Sequence, residues 1–236
     1  MQIATERPNY HALVPVRALL FDFDGTLVDT ESIDLRSWQE VFAEHGVEVP
    51  LDRFLLRVGT LEGPDELDEL DALLDAPCDR EAVQAVRRRR ELELLATEPL
   101  RPGVDSCLEA ARRLGLRLGI VSSSSRAWIE AGLERLAVAD GWAVVSCADG
   151  DRARCKPRPD LYLEALEALG VRAGEAIAFE DSPNGIAAAR AAGIFCVAVP
   201  NPVTRGLDLG AADLLLGSLE ELPLPELLAL AERRAA

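Results

Sequence analysis

Two carboxylates two positions apart, Asp22 and Asp24, stand in the run Asp22-Phe23-Asp24-Gly25-Thr26. The residues before them, Val16-Arg17-Ala18-Leu19-Leu20-Phe21, form a short apolar run that predicts a buried strand ending at Asp22. One carboxylate of such a pair can attack an electrophile while the other carries a proton. Asp and Gly also suit an ordinary turn. Ser122-Ser123-Ser124-Ser125 follows a second apolar run, Arg117 to Val121, and opens a helical pattern. Hydroxyls and free backbone N–H groups there can receive an anion or simply cap the helix.

Lys156 is the only lysine in the chain; the other 24 of its 25 basic residues are arginine. A general preference for Arg explains the 24, and the exception suggests a place where a compact ammonium is needed rather than a planar fork. It lies in Cys155-Lys156-Pro157-Arg158-Pro159-Asp160, ahead of another helical pattern. Glu180-Asp181-Ser182-Pro183 puts adjacent acids after the apolar run Ala176 to Phe179, then a Ser suited to N-cap and a Pro suited to the first helical position. Adjacent acids at a strand end suit a hard cation such as Mg²⁺. They equally suit a helix dipole.

These residues need a scaffold that gathers strand ends. Apolar runs at 16–21, 117–121, 176–179 and 195–199 alternate with helical patterns at Val104–Leu114, Ala127–Leu136, Asp160–Leu169 and Pro183–Ala192. The alternation predicts an α/β fold with a doubly wound parallel sheet. Ligands bind such sheets outside the carboxyl ends of the strands. Residues 31–97 break the pattern and read as helices only, including a long one from about Arg80 to Ala96. An all-helical insertion there, between a core of 15–30 and 98–236, would cover the site.

With four motifs in this order, the sequence resembles the haloacid dehalogenase-like superfamily of phosphohydrolases. Within it, the likeness is to the branch with a helical cap after the first strand, which includes β-phosphoglucomutase and many sugar-phosphate phosphatases. The resemblance implies a Rossmann-like core, Asp22 as the nucleophile that becomes an aspartyl phosphate, and Asp24 as general acid and base. It implies Ser122 and Lys156 as holders of the phosphoryl group. A Mg²⁺ site would be formed by Asp22, the backbone carbonyl of Asp24, Asp181 and Glu180. Ser123, Arg126 and Arg57 are the expected substrate contacts, and small sugar or polyol monophosphates the expected substrates. A phosphomutase is the alternative. The branch's mutase pattern has a His shortly after the nucleophile motif where this chain has Asp34, and only Arg57 lies near the place of its phosphate-holding Arg.

The 41 acidic residues outweigh the 25 basic ones, giving a formal net charge of −16, which argues against nucleic acid or an anionic membrane as partner. Arg87-Arg88-Arg89-Arg90 does not reverse this. Helical residues step about 100° apart, so the four point around the helix, and Arg87 with Glu91 and Arg89 with Glu93 are spaced for ion pairs. Trp38 and Trp128 read as packing residues, and His45-Gly46 as a helix end. Five cysteines without a two-residue spacing predict reduced thiols, and no signal or membrane segment is legible. The expectation is a cytoplasmic protein, monomeric or weakly dimeric.

Overall fold

The computed structural model describes residues 14–235, so the polar lead and His11 lie outside the described residues. Six parallel strands form one sheet in the order β3-β2-β1-β4-β5-β6. They are β1 (Ala18–Phe21), β2 (Arg117–Ser122), β3 (Trp142–Cys147), β4 (Ala176–Glu180), β5 (Phe195–Ala198) and β6 (Leu214–Leu215). The chain runs outward from β1 through β2 to β3, then returns to lay β4 on the other side of β1. Strand order therefore reverses between β1 and β4, where open α/β sheets leave a crevice at the strands' carboxyl ends.

Alternate residues face opposite layers. Leu19, Phe21, Ile177 and Phe179 enter the core beneath α5 (Val104–Arg113), α6 (Arg126–Arg135) and α9 (Leu224–Ala235). Ala18, Leu20, Ala176 and Ala178 enter the other core, beneath α7 (Asp160–Leu169) and α8 (Pro183–Ala191). Both faces are covered, which is why the inner strands read as continuous apolar runs.

Between β1 and α5 lie helices α1 (Thr30–Glu44), α2 (Leu51–Leu55), α3 (Glu66–Leu73) and α4 (Arg80–Leu95). They bury a separate apolar cluster of Trp38, Val41, Phe42, Phe54, Leu67, Leu70 and Val83. His45 caps α1 and Gly46 follows at φ +76°. The strands not foreseen are β3 and β6. The first is partly exposed along most of its length, so no continuous apolar run marks it, and the second is two residues long. Among the described residues no cysteine is disulfide-bonded, and no helix is long and apolar enough to cross a membrane.

Candidate active site

Strand parity aims the nucleophile candidate. Asp22 continues β1 in step with Ala18 and Leu20 and so faces the α7 layer, with its N–H bonded to the Phe179 carbonyl of β4 at 3.0 Å. Phe23, one residue on, turns the other way and is buried against α6, where a Cβ on Gly132 would lie 2.4 Å from its ring. Gly25 then turns the chain at φ +74°, with room only for a glycine beside the Asp181 carboxylate. Arg101, just before α5, holds this turn by donating to the carbonyls of Gly25, Val199 and Pro200 at 2.6 to 2.7 Å.

From the approach to α7, Lys156 inserts its ammonium between Asp22 Oδ1 at 2.6 Å and Glu180 Oε1 at 2.7 Å. All three side chains are at most 4 % exposed. Burial alone would lower the lysine's proton affinity, but the two carboxylates reverse that and hold it raised, so it stays charged. Tyr162 of α7 donates to the same Glu180 oxygen at 2.5 Å, its own ionisation suppressed by burial and by Glu180.

Asp22, Glu180 and Asp181 each offer an oxygen within 4.8 Å of the others. Glu180 Oε2 and Asp181 Oδ1 are buried without a hydrogen-bond partner, while Asp181 Oδ2 accepts from Asn201 Nδ2 at 2.6 Å. Three buried carboxylates against one ammonium leave an uncompensated charge of 1 − 3 = −2 when all are ionised. An all-oxygen donor set with that deficit and two orphaned oxygens fits a hard divalent cation. The Asp24 carboxylate is not part of this group. It accepts from Ser124 Oγ at 2.6 Å, Ser122 Oγ at 3.4 Å and Trp128 Nε1 at 2.8 Å.

Burial first, with neighbouring charges adding, raises the proton affinities of Asp22 and Asp181 well above the ordinary carboxylate range; Lys156 only partly opposes this. An acid raised in the folded state costs stability above its folded pKa, and that cost disappears as pH falls through it toward the unfolded value of about 3.9. The metal-free protein is therefore expected to gain Tm on acidification from about pH 8 to about pH 5.5. Part of that gain should be lost in Asp22→Asn, and equal slopes for the two proteins in a melting series would contradict the assignment.

Above this floor is a cavity of about 310 Å³, walled by Asp24, Ser122 to Ser125 and Trp128 on one side and by the helices after β1 on the other. Arg57 lines it, bound to Glu66 and 4.0 Å from Asp34. Arg87 lines it too, bridging Asp34 and Glu91 and lying over the Trp38 ring. Glu31 also reaches this cavity, its proton affinity raised by burial and then by Asp34, Asp24 and Asp22 against Arg57. Ser123 Oγ donates to the Gly59 carbonyl at 3.2 Å and accepts the Lys156 N–H at 3.3 Å. It ties the helical segment to the serine turn and to the approach to α7.

Arg126 does not reach the cavity. It opens α6, but its guanidinium turns back to the Val145 carbonyl at 2.8 Å and toward Glu130 at 3.8 Å, an exposed arrangement. The residue expected as a substrate contact is thus not among those that line the cavity. Trp128 packs against the core as expected and also presents its indole N–H to Asp24. Sequence reasoning also passed over Glu31, Ser124, Tyr162 and Asn201. Ser124 stood in the serine run, whereas the others carry no local signal because their partners are remote in sequence.

The sequence and the fold have counterparts in known proteins. The family model described as haloacid dehalogenase-like hydrolase matches residues 16–193. YhcW of Bacillus subtilis is 40% identical over 213 residues, covering 90% of this chain and 96% of that protein. Hexitol phosphatase B of Escherichia coli is 30% identical over 224 residues, covering 90% and 97%. A crystal structure of CbbY from Rhodobacter sphaeroides in complex with xylulose-(1,5)bisphosphate superposes with a TM-score of 0.71 at 31% identity, covering 88% of this chain and 96% of that one. The chain belongs to the haloacid dehalogenase-like hydrolases and is an enzyme of the phosphoric monoester hydrolase class.

Proposed function

We propose that the chain is a Mg²⁺-dependent phosphatase of small organic monophosphates, sugar or polyol phosphates above all, working through an aspartyl phosphate on Asp22. The observation that carries this reading is the buried Asp22–Lys156 contact at the floor of a cavity, with a second aspartate two residues on that is free of the lysine. Lys156, the Ser122 hydroxyl and the N–H groups of the serine turn receive the phosphoryl oxygens. A carboxylate oxygen of Asp22 attacks phosphorus, and the bond to the alcohol oxygen breaks as Asp24 delivers its proton there. Water then attacks the phosphorus of the aspartyl phosphate, passing a proton to Asp24, which frees Asp22 and inorganic phosphate. Positioning and neutralised oxygens supply most of what such a transfer needs. Mg²⁺, held by Asp22, Glu180, Asp181 and, by family resemblance, the Asp24 carbonyl, would neutralise the phosphoryl charge in flight.

Residues 31–97 serve in this reading as a cap. Asn184 Nδ2, after β4, bonds the Val58 carbonyl at 2.9 Å and Ser123 Oγ, after β2, bonds the Gly59 carbonyl, so the cap loop is held from both sides of β1. The mixed wall of Glu31, Asp34, Arg57 and Arg87 suits a hydroxyl-rich tail. It suits a second phosphate less well, because Arg57 and Arg87 are each engaged by carboxylates. Hydrolysis is therefore favoured over mutase chemistry.

The test is phosphorus NMR of a panel of monophosphates, β-glucose 1-phosphate with catalytic bisphosphate among them. Inorganic phosphate is expected to form with Mg²⁺, to stop with excess chelator and to resume when Mg²⁺ is restored. Full activity in chelator would remove the metal from the account. An isomerised ester outpacing free phosphate would make the enzyme a mutase.

A further inference from the structure

Asp24 must present a proton at one position in one step and take it back in the next, yet its side chain is only partly buried. Three donors hold it. Ser124 and Ser122 hydroxyls address Oδ2, while Trp128 Nε1–H addresses Oδ1 at 2.8 Å. The two kinds of donor are not equivalent. A serine hydroxyl rotates and can accept as readily as it donates, whereas an indole N–H only donates.

We infer that Trp128 is a positioning residue for proton transfer: its N–H fixes the plane of the Asp24 carboxylate and keeps Oδ1 an acceptor in both protonation states, so that the transferred proton resides on Oδ2. The inference rests on Asp24 being the acid and base. The carbonyl oxygen of a carboxylic acid accepts better than its hydroxyl oxygen, so an N–H on Oδ1 favours the acid form protonated at Oδ2. There the serine hydroxyls turn to accommodate it. In the forward step the proton leaves Oδ2 for the alcohol oxygen as the P–O bond breaks, and in the second step it returns to Oδ2 from the attacking water. The placement of Trp128 is built in one turn away, at Gly132. The bare Cα lets α6 close onto the ring of Phe23, the residue next to Asp24 in sequence.

A packing role and a positioning role differ in how they respond to the leaving group. Protonation matters for an alkyl phosphate, whose alkoxide leaves poorly, and hardly at all for 2,4-dinitrophenyl phosphate, whose phenolate leaves unaided. The experiment measures kcat/KM, which covers steps through the first P–O cleavage, on a hexitol phosphate, p-nitrophenyl phosphate and 2,4-dinitrophenyl phosphate. Wild type, Trp128→Phe and Asp24→Asn are compared. For Trp128→Phe the expected loss is about tenfold or more on the alkyl ester, and at most about twofold on the dinitrophenyl ester. Asp24→Asn should show the same slope more steeply, at about a hundredfold or more on the alkyl ester. A graded Asp24→Asn with a uniform or absent Trp128→Phe effect overturns the role of Trp128 and leaves Asp24 as the acid. A uniform Asp24→Asn loss overturns both. If the smaller ring loosens α6, replacing Trp128 with 3-benzothienylalanine, which keeps the shape and puts sulfur in place of N–H, applies the same criterion.

Discussion

Asp22→Asn is expected to lower kcat by at least about four orders of magnitude, roughly 5 kcal/mol of barrier, while leaving the protein folded. An amide cannot form the acyl phosphate, and no other side chain at the cavity floor is placed to replace it. Lys156 is a cation, Glu180 is buried beneath that ammonium, and Asp24 is committed to Ser124 and Trp128. Structure should survive because Asn is nearly isosteric and removes a buried charge that raises the proton affinity of Asp181. The check is steady-state kinetics beside a thermal melt. A variant keeping a tenth of the wild-type rate would show that Asp22 is not the attacking group.

Substitution of Lys156 should be nearly as damaging and should separate charge from shape. Among the described residues its ammonium is the only cation paired with Asp22 and Glu180, and it is 1 % exposed. Lys156→Met leaves both buried carboxylates without it, and removing one partner of a buried charge pair costs about 3–5 kcal/mol. Lys156→Arg keeps the charge but forces a larger planar group between two carboxylates only 2.6 and 2.7 Å from the nitrogen they share. A loss in kcat/KM of at least about tenfold, roughly 1.4 kcal/mol, is expected for Arg, together with a drop in Tm for Met. Wild-type kinetics in Lys156→Arg would mean that any cation suffices there, and unchanged stability in Lys156→Met would mean that the cluster is not charge-balanced by the lysine.

What could be read from the chain follows physical range. Asp22, Ser122, Glu180 and Lys156 were legible because each sits at an abrupt change in local pattern, three at the ends of apolar runs and one as the lone lysine among arginines. A sheet buried on both faces makes such runs, and its strand ends are where the chain becomes polar. The edge strand Trp142–Cys147 was not legible because its exposed residues interrupt the apolar run. Trp128 was legible only in part. Its ring does pack against the core, as helical spacing indicated, but the direction of its N–H depends on where α6 docks on Phe23, more than a hundred residues away in sequence. For Arg126 the side-chain direction was what the sequence did not carry. Adjacency to the serine turn placed its Cα near the site, while helix direction sent the side chain to β3. Glu31 and Asp34 of α1, Arg57 after α2 and Arg87 of α4 converge from separate parts of the chain, and only Arg87 with Glu91 carried a local spacing signal.

Asp24→Asn offers the most direct view of the covalent step, because loss of the base that activates water lets the phosphorylated enzyme accumulate. Mixing this variant with Mg²⁺ and 2,4-dinitrophenyl phosphate, quenching in acid and mapping the adduct by peptide mass spectrometry locates the phosphoryl group. The account predicts an acid-stable, hydroxylamine-labile phosphoryl group on Asp22. A phosphoryl group on Ser122 or another residue, or a single-turnover burst of dinitrophenolate with no phosphorylated peptide, would contradict it.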